Sequence, residues 1–145
     1  MIELFDIQKE DASQLSDLDN ICFSVPWSLR QFQNEAKNPM AHYVIAKIDG
    51  VIVGYAGYWK VIDEGQITNV AVLPQYRRKG IARTIIKKLI NDAKEDGIKK
   101  LSLEVRCSNE AAISLYSSFG FIRVGDRKNY YHNPLEDALL FDLDI

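Results

Sequence analysis

The chain has 145 residues, of which 47% are apolar and 26% charged, and its formal net charge at pH 7 is -2. This length is typical of one folding unit with its own core, so we expect a single domain over residues 1–145. The weak net charge excludes a globally basic nucleic-acid binder, and no run approaches the ~20 apolar residues of a membrane span. Because the N-terminus also lacks a signal peptide, we expect a cytoplasmic protein without direct nucleic-acid or membrane contacts.

The cysteine pattern gives little sign of a disulfide or a metal centre. Cys22 and Cys107 are the only cysteines, and neither belongs to a CxxC pair. Two separate thiols in a cytosolic protein are usually small packing residues. We therefore predict no metal site.

The first part of the chain predicts a strand and two short helices. Residues 2–7 alternate apolar and polar side chains, as an opening strand does, and Asp11 and Ser13 are candidate caps for the helix that follows. Ser28 and Gln31 have the spacing of a capping box and predict the start of the second helix.

The middle of the chain predicts antiparallel strands. Residues 41–48 and 51–62 are rich in β-branched and aromatic side chains, and Asp49-Gly50 between them favours a type I′ hairpin turn. A third strand over 66–73 ends at Pro74, because proline cannot donate to a strand ladder.

The pattern then changes to a helix followed by a strand. Apolar residues recur at helical spacing from Ile81 to Leu89, and Gly97 marks the end of this helix. A strand over 101–105 follows. Because the helix connects two strands of one sheet, these strands are expected to be parallel, with a right-handed crossover.

The last third predicts one helix and two strands. The helix covers 109–119, the strands cover 121–124 and 138–143, and residues 125–136 are expected to form a loop. The whole order predicts an α+β fold with a mixed, mostly antiparallel sheet and one central βαβ crossover.

A basic turn stands where the third predicted strand meets the long helix. Arg77, Arg78 and Lys79 precede the helix N-terminus, whose free N–H groups and dipole favour a phosphate. Gly80 and Ala82 remove side-chain bulk there. Three adjacent basic residues also occur as an ordinary solvated turn, and charge alone does not separate these readings.

Two other phosphate motifs are missing or misplaced. The chain has no GxxxxGK[ST] sequence, and the segment 54–57 (GYAG) lies inside a predicted strand with no helix after it. A nucleoside triphosphate or NAD is therefore not indicated.

The turn resembles the Q/RxxGxG/A coenzyme A motif of the GNAT acetyltransferases. The motif is Arg77-x-x-Gly80-x-Ala82, directly after the strand 67–73, and the element order is similar to that superfamily over nearly the whole chain. The resemblance implies the GNAT fold and acetyl-CoA as cosubstrate. It also implies that the pyrophosphate lies on the turn Arg77, Arg78, Lys79, Gly80, Ile81 and Ala82, and the pantetheine beside Val70, Ala71 and Val72.

Glu104 and Tyr116 are the candidate catalytic residues. Glu104 lies near the end of the strand that receives the crossover, where clefts of such units open. It could equally be an outward carboxylate paired with Arg106, and Tyr116 could be a core aromatic.

The surrounding sequence resembles one GNAT branch, the RimI-type ribosomal-protein-alanine N-acetyltransferases. The similar segments are 103–106 (LEVR), 109–113 (NEAAI) and 115–121 (LYSSFGF). By this resemblance Glu104 is the general base, Tyr116 the general acid toward the coenzyme A thiolate, and Asn109 a cofactor contact. Gln66 stands where relatives often carry histidine, so an auxiliary base at that position is lost.

The resemblance extends to the candidate acceptor site. Trp27 in the segment 26–28 (PWS) and the pair Tyr130 and Tyr131 are implied to contact the acceptor peptide. For the two tyrosines, packing at a hairpin edge is an equal alternative. Acceptor choice is expected to depend on the predicted loops 22–28 and 125–136.

The resemblance implies transfer of acetyl to an N-terminal α-amine, that of alanine in a small-subunit ribosomal protein of the S18 type. An α-amine costs about 1 kcal/mol to deprotonate at pH 7 and a lysine roughly 4.6 kcal/mol, so one carboxylate suffices for the former. Two alternatives stay open: an acceptor that is a small-molecule amine or lysine side chain, and a non-catalytic coenzyme A sensor or complex subunit. Transfer through an acetylated Cys107 is disfavoured because no motif aligns a histidine with it.

Overall fold

The protein consists of seven strands and four helices, and the computed structural model describes residues 1–145. The strands are β1 (Ile2–Asp6), β2 (Ala41–Ile48), β3 (Val51–Val61), β4 (Glu64–Val72), β5 (Lys100–Arg106), β6 (Ile122–Tyr131) and β7 (Glu136–Asp144). The helices are α1 (Ala12–Cys22), α2 (Leu29–Lys37), α3 (Ile81–Glu95) and α4 (Glu110–Ser118).

All seven strands belong to one sheet, in the order β1-β2-β3-β4-β5-β7-β6. Only β4 and β5 are parallel, and α3 connects them, as the sequence predicts. The α+β fold with a mixed, mostly antiparallel sheet is thus confirmed. None of the four helices has the length and apolar character needed to cross a membrane.

The helices cover the sheet on both faces. On one face, the apolar side of α3 packs with residues of β5 and with Tyr116 and Phe121 from α4 and the residues after it. On the other face, α1 and α2 pack Leu15, Leu18 and Phe32 against β2 and β3. Burial of each such large apolar side chain contributes roughly 1.5–3 kcal/mol, so both layers hold the sheet.

Two local sequence signals produce the predicted geometry. Asp49 and Gly50 have φ angles of 50° and 77°, which fit the type I′ turn between β2 and β3. At the start of α2, the Gln31 amide donates to Ser28 Oγ (3.2 Å), and the Ser28 amide donates to Gln31 Oε1 (2.7 Å). The capping box is therefore confirmed.

The predicted caps of α1 behave differently. Asp11 occupies the N-cap position, but its Oδ2 accepts from the backbone N–H of Gln8 at 2.8 Å. Its Oδ1 lies 3.3 Å from Lys47 Nζ on β2. The carboxylate thus closes the short 3₁₀ turn before the helix and anchors that turn to the sheet through Lys47. It makes no capping bond to α1, which therefore has no side-chain cap.

The strands β4 and β5 separate soon after they begin. Residues 64–66 pair with residues 100–102, and beyond this point β4 pairs only with β3, while β5 pairs only with β7. A bulge at Thr68 disturbs the pairing of β4 with β3 at the same level. The sheet therefore opens into a wedge between these two strands, here called the split.

The segment 125–136, predicted as a loop, is mostly strand. β6 extends to Tyr131, and only residues 132–135 form the turn before β7. β6 is the edge strand and is exposed along nearly its whole length, so it lacks the alternation of buried and exposed side chains that marks a strand. Backbone pairing with β7 holds it in place instead.

Candidate active site

The turn between β4 and α3 offers a row of free backbone donors. The N–H groups of residues 78–83 donate to no acceptor in the protein. Arg78 (φ 63°) and Gly80 (φ 79°) adopt left-handed conformations, which turn successive N–H groups toward one side. An anion such as a pyrophosphate fits this cradle, because it would satisfy donors that otherwise face solvent.

The three basic side chains of the turn have different surroundings. Arg77 Nε donates to the carbonyl of Val72 at 2.9 Å, and the Cys22 thiol donates to the same carbonyl at 3.6 Å. Arg77 thus fastens the turn to the end of β4. Arg78 and Lys79 are exposed and form no ion pair, so their charges remain available to a bound anion.

Replacement of Gly80 by alanine tests the cradle. We expect the Michaelis constant for acetyl-CoA to rise about tenfold, because the left-handed conformation costs a residue with a Cβ about 1–2 kcal/mol and the turn will relax away from it. Gly50→Ala is the matched control, since Gly50 has nearly the same φ angle of +77° and equally open surroundings. Both variants should lose similar stability, and an equal change in both Michaelis constants would contradict the role given to Gly80.

The edge of β4 that faces the split has no strand partner beyond Gln66. Val70 is half-buried, Ala71 and Val72 are buried, and their side chains pack into the two helical layers. The backbone edge is therefore the polar surface that this strand offers to the split. An extended chain with amide groups, such as a pantetheine, can pair with such an edge as a strand would.

Glu104 lies on the opposite side of the split, on β5. Its neighbours Leu103 and Val105 face the α3 layer, so alternation along the strand turns Glu104 toward the other face. Its Oε1 is 3.5 Å from Arg127 Nε on β6, and its side chain is 22% exposed. The interaction with Glu104 raises the pKa of Tyr130, so the carboxylate lies close to both of these β6 residues.

Tyr130 and Tyr131 adjoin Glu104. Their rings meet edge to face with centroids 5.1 Å apart, and the Arg106 guanidinium lies 4.5 Å from the Tyr131 ring centroid. Burial, followed by the charge of Glu104, raises the pKa of Tyr131 to about 12. Both phenols are therefore neutral hydrogen-bond donors at neutral pH.

Tyr116 approaches from the other face of the sheet. The residue is 6% exposed and its ring packs against Phe121 with centroids 5.8 Å apart. Its hydroxyl makes no hydrogen bond within the protein. The structure contains no fully buried side-chain oxygen without a partner, so this hydroxyl reaches solvent. Burial, and to a smaller extent Tyr131, raises the pKa of Tyr116. The hydroxyl is a protonated donor without a partner.

Arg106 pairs with Glu136 on β7, and the alternative pairing with Glu104 is wrong. Arg106 Nη1 donates to Glu136 Oε1 at 3.1 Å and to the carbonyl of Pro134 at 2.9 Å. Glu136 Oε2 accepts from the Ser108 amide at 2.8 Å, and these bonds, led by that of Ser108, lower the pKa of Glu136 to about 2. The pair joins the β6–β7 turn to the segment before α4, and no sequence motif marks it.

The remaining two candidates have structural partners. Asn109 caps α4 through its Oδ1, which accepts from the Ala112 amide at 3.2 Å, so its side-chain amino group is the part left for a ligand. The Trp27 ring packs against Phe32 on α2 and Trp59 on β3. The Trp27 amide donates to Asp19 at 3.0 Å.

Asp19 is a buried acidic residue that belongs to no recognisable sequence motif. Its carboxylate is fully buried, and besides the Trp27 amide it accepts from the Tyr55 hydroxyl at 2.7 Å. Burial raises its pKa. Asp19 thus ties the segment after α1, which carries Trp27, to Tyr55 of the sheet.

The sheet thus opens beside a turn with free backbone donors, and a carboxylate lies at the opening. The chain belongs to the acetyltransferase (GNAT) family, whose model matches residues 12–121. The GNAT fold is thereby confirmed.

Three relatives illustrate this membership. The chain is 40% identical to a candidate ribosomal protein bS18-alanine N-acetyltransferase of Bacillus subtilis, over 94% of this chain and 91% of the relative. It is 32% identical to the ribosomal protein bS18-alanine N-acetyltransferase of Escherichia coli, over 96% and 95%. The crystal structure of the ribosomal-protein-S18-alanine N-acetyltransferase from Escherichia coli superposes with a TM-score of 0.92 at 31% identity, covering 100% of this chain and 94% of the other.

Proposed function

We propose that the protein transfers the acetyl group of acetyl-CoA to the N-terminal α-amine of a protein, the alanine of a bS18-type ribosomal protein. The observation that supports this proposal most directly is the position of Glu104 on β5 at the split, two residues beyond the last pair with β4 and on the face opposite to the layer that holds Tyr116. The names of the relatives, which match over nearly the full length, support the acceptor. We infer from the ribosomal acceptor that the activity is cytoplasmic. We also infer that residues 1–145 act as one domain, because all seven strands belong to one sheet.

The cosubstrate is held by the turn and by β4. The free N–H groups of residues 78–83 suit the pyrophosphate, and the charges of Arg78 and Lys79 add to the attraction. The unpaired edge at Val70, Ala71 and Val72 suits the pantetheine amides. This arrangement directs the thioester into the split, between Glu104 and Tyr116.

Glu104 prepares the acceptor amine. An ammonium must lose a proton before its nitrogen can attack, and for an α-amine this costs about 1 kcal/mol at pH 7. Glu104 accepts that proton, directly or through water, while Tyr130 and Tyr131 donate hydrogen bonds to the peptide carbonyls. The new bond joins the amine nitrogen to the acetyl carbon, and the carbon–sulfur bond breaks with its electron pair on sulfur. Of the two protons lost by the ammonium, one is matched by the proton gained on sulfur and one passes to solvent.

Tyr116 stabilises the leaving sulfur. A thiol has a pKa of about 8.5, well below the raised pKa of the buried phenol, so complete transfer of the phenolic proton is uphill. The hydroxyl therefore acts chiefly as a hydrogen-bond donor to the developing thiolate, and the final proton on sulfur comes from solvent or the acceptor. This refines the role of general acid that the family resemblance implies.

An acceptor panel tests the proposal. The purified protein is incubated with acetyl-CoA and with peptides that begin with Ala, Ser, Thr or Met, including the N-terminal segment of bS18, and free coenzyme A is measured while mass spectrometry locates the acetyl group. We expect the alanine peptides to react fastest, with the acetyl group on the α-amine. A preference for polyamines or for lysine peptides with a blocked N-terminus would contradict the proposed acceptor. Cofactor binding without turnover on any acceptor would favour the coenzyme A sensor.

A further inference from the structure

Glu35 on α2 carries a carboxylate that is fixed but lacks a cation. Its Oε2 accepts from the Tyr43 hydroxyl at 3.0 Å and from Trp59 Nε1 at 2.8 Å. Its Oε1 accepts no hydrogen bond, and the residue takes part in no ion pair, although it is half-buried. One oxygen therefore holds the group in place while the other remains free for a ligand.

The carboxylate lies beside the split, on the face that Glu104 also uses. The Tyr43 hydroxyl is 3.3 Å from Thr68 Oγ1, at the bulge of β4. The Tyr43 ring crosses β3 above Gly57, where an added Cβ would collide with it. Thr68 and Glu104 each stand two residues beyond the last register pair of β4 and β5, so Glu35 borders the split near the level of the proposed base.

An exposed indole lies next to this carboxylate. Trp59 is 39% exposed, and its ring is nearly parallel to that of Trp27, with centroids 6.3 Å apart. The bond from Trp59 Nε1 holds the ring beside Glu35. Glu35 thus lies at the edge of an exposed indole, and this pair suits a guanidinium, which can hydrogen-bond to the carboxylate and stack on the ring.

Glu35 differs from the carboxylates on the other side of the split, which have cationic partners. Glu104 lies 3.5 Å from Arg127, and Asp126 lies 3.4 Å from Lys128. For a peptide whose N-terminal amine lies at Glu104, Glu35 is therefore a carboxylate that is still free to attract a cationic side chain.

We propose that Glu35 and Trp59 form a subsite for a cationic side chain of the acceptor, arginine in preference to lysine, within the few residues after the N-terminal one. This inference rests on the proposed function, because it takes the acceptor to be a peptide N-terminus. It makes Glu35 a specificity-determining residue.

The test compares peptides that begin with Ala and carry arginine, or its neutral isostere citrulline, at position 2, 3 or 4. At one of these positions we expect arginine to raise kcat/KM about tenfold over citrulline, mainly through KM. Glu35→Gln should remove this preference and leave turnover of the citrulline peptides within about twofold, because glutamine can still accept from Tyr43 and Trp59. Asp17→Asn is the matched control: it removes an exposed carboxylate of α1 and should keep the preference.

The outcomes separate the subsite from the underlying function. Equal turnover of arginine and citrulline peptides by the unmodified protein would overturn the subsite. An equal loss on both peptide types in Glu35→Gln would also overturn it, since Glu35 would then act only through structure. Failure to acetylate any of the peptides would instead overturn the proposed function.

Discussion

Glu104→Gln should lower kcat/KM for an alanine-initiated peptide about 10³-fold, because general-base catalysis contributes about 10²–10⁴-fold and glutamine cannot accept a proton from an ammonium. The loss should shrink as the pH rises, since the free-amine fraction of an α-amine grows about tenfold per pH unit below a pKa near 7.8. The measurement is kcat/KM from pH 6 to 9 for both proteins. We expect the variant to rise more steeply with pH.

Glu64→Gln is a suitable control for this variant. Glu64 lies on β4 at the closed end of the split and forms an exposed ion pair with Lys100 at 3.0 Å. Loss of such a pair costs at most about 1 kcal/mol of stability, so kcat/KM should stay unchanged. If Glu104→Gln retained full activity at pH 6, where nearly all of the amine is protonated, the role of Glu104 as base would be wrong.

Tyr116→Phe should lower kcat about 10²-fold while the free energy of unfolding stays nearly the same. Removal of one hydrogen-bond donor to a developing negative charge typically costs about 10²–10³-fold in rate. The hydroxyl has no partner within the protein, so its loss breaks no hydrogen bond of the folded state. Single-turnover kinetics and thermal unfolding measure the two quantities independently.

Tyr58→Phe should give the opposite pattern. The Tyr58 hydroxyl donates to Asp96 Oδ2 at 2.9 Å, at the far end of α3. Its removal should lower the stability by about 1 kcal/mol and leave kcat unchanged. A Tyr116→Phe variant that behaved like Tyr58→Phe, with lower stability and unaltered turnover, would show that Tyr116 is only a core residue.

The central elements were predictable from sequence because their signals are local. Three examples are the Asp49-Gly50 turn, the capping box at Ser28 and the amphipathic pattern of α3. Each depends on interactions between residues that are two to four positions apart in the sequence. The parallel pairing of β4 and β5 followed from the crossover helix. The position of Glu104 at the split followed from its place on β5.

The residues that the sequence did not reveal depend on long-range contacts. Glu136 lies 30 residues from its partner Arg106, and Glu35 meets Trp59 only after α2 folds onto the sheet. Asp19 is a polar residue in an apolar layer, where patterns predict none. Residues 125–131 of β6 were predicted as loop because an exposed edge has no buried face to impose alternation. Such long-range contacts cannot be predicted from the spacing of residues along the sequence.

The separation of β4 from β5 leaves four strands on one side and three on the other, joined by three residue pairs and one helix. A sheet normally pairs or covers its hydrogen-bonding edges, yet here two of them face each other across the split. We therefore expect the extended arm of the cosubstrate to pair with these edges as a transient eighth strand. The sheet would then be continuous only while acetyl-CoA is bound.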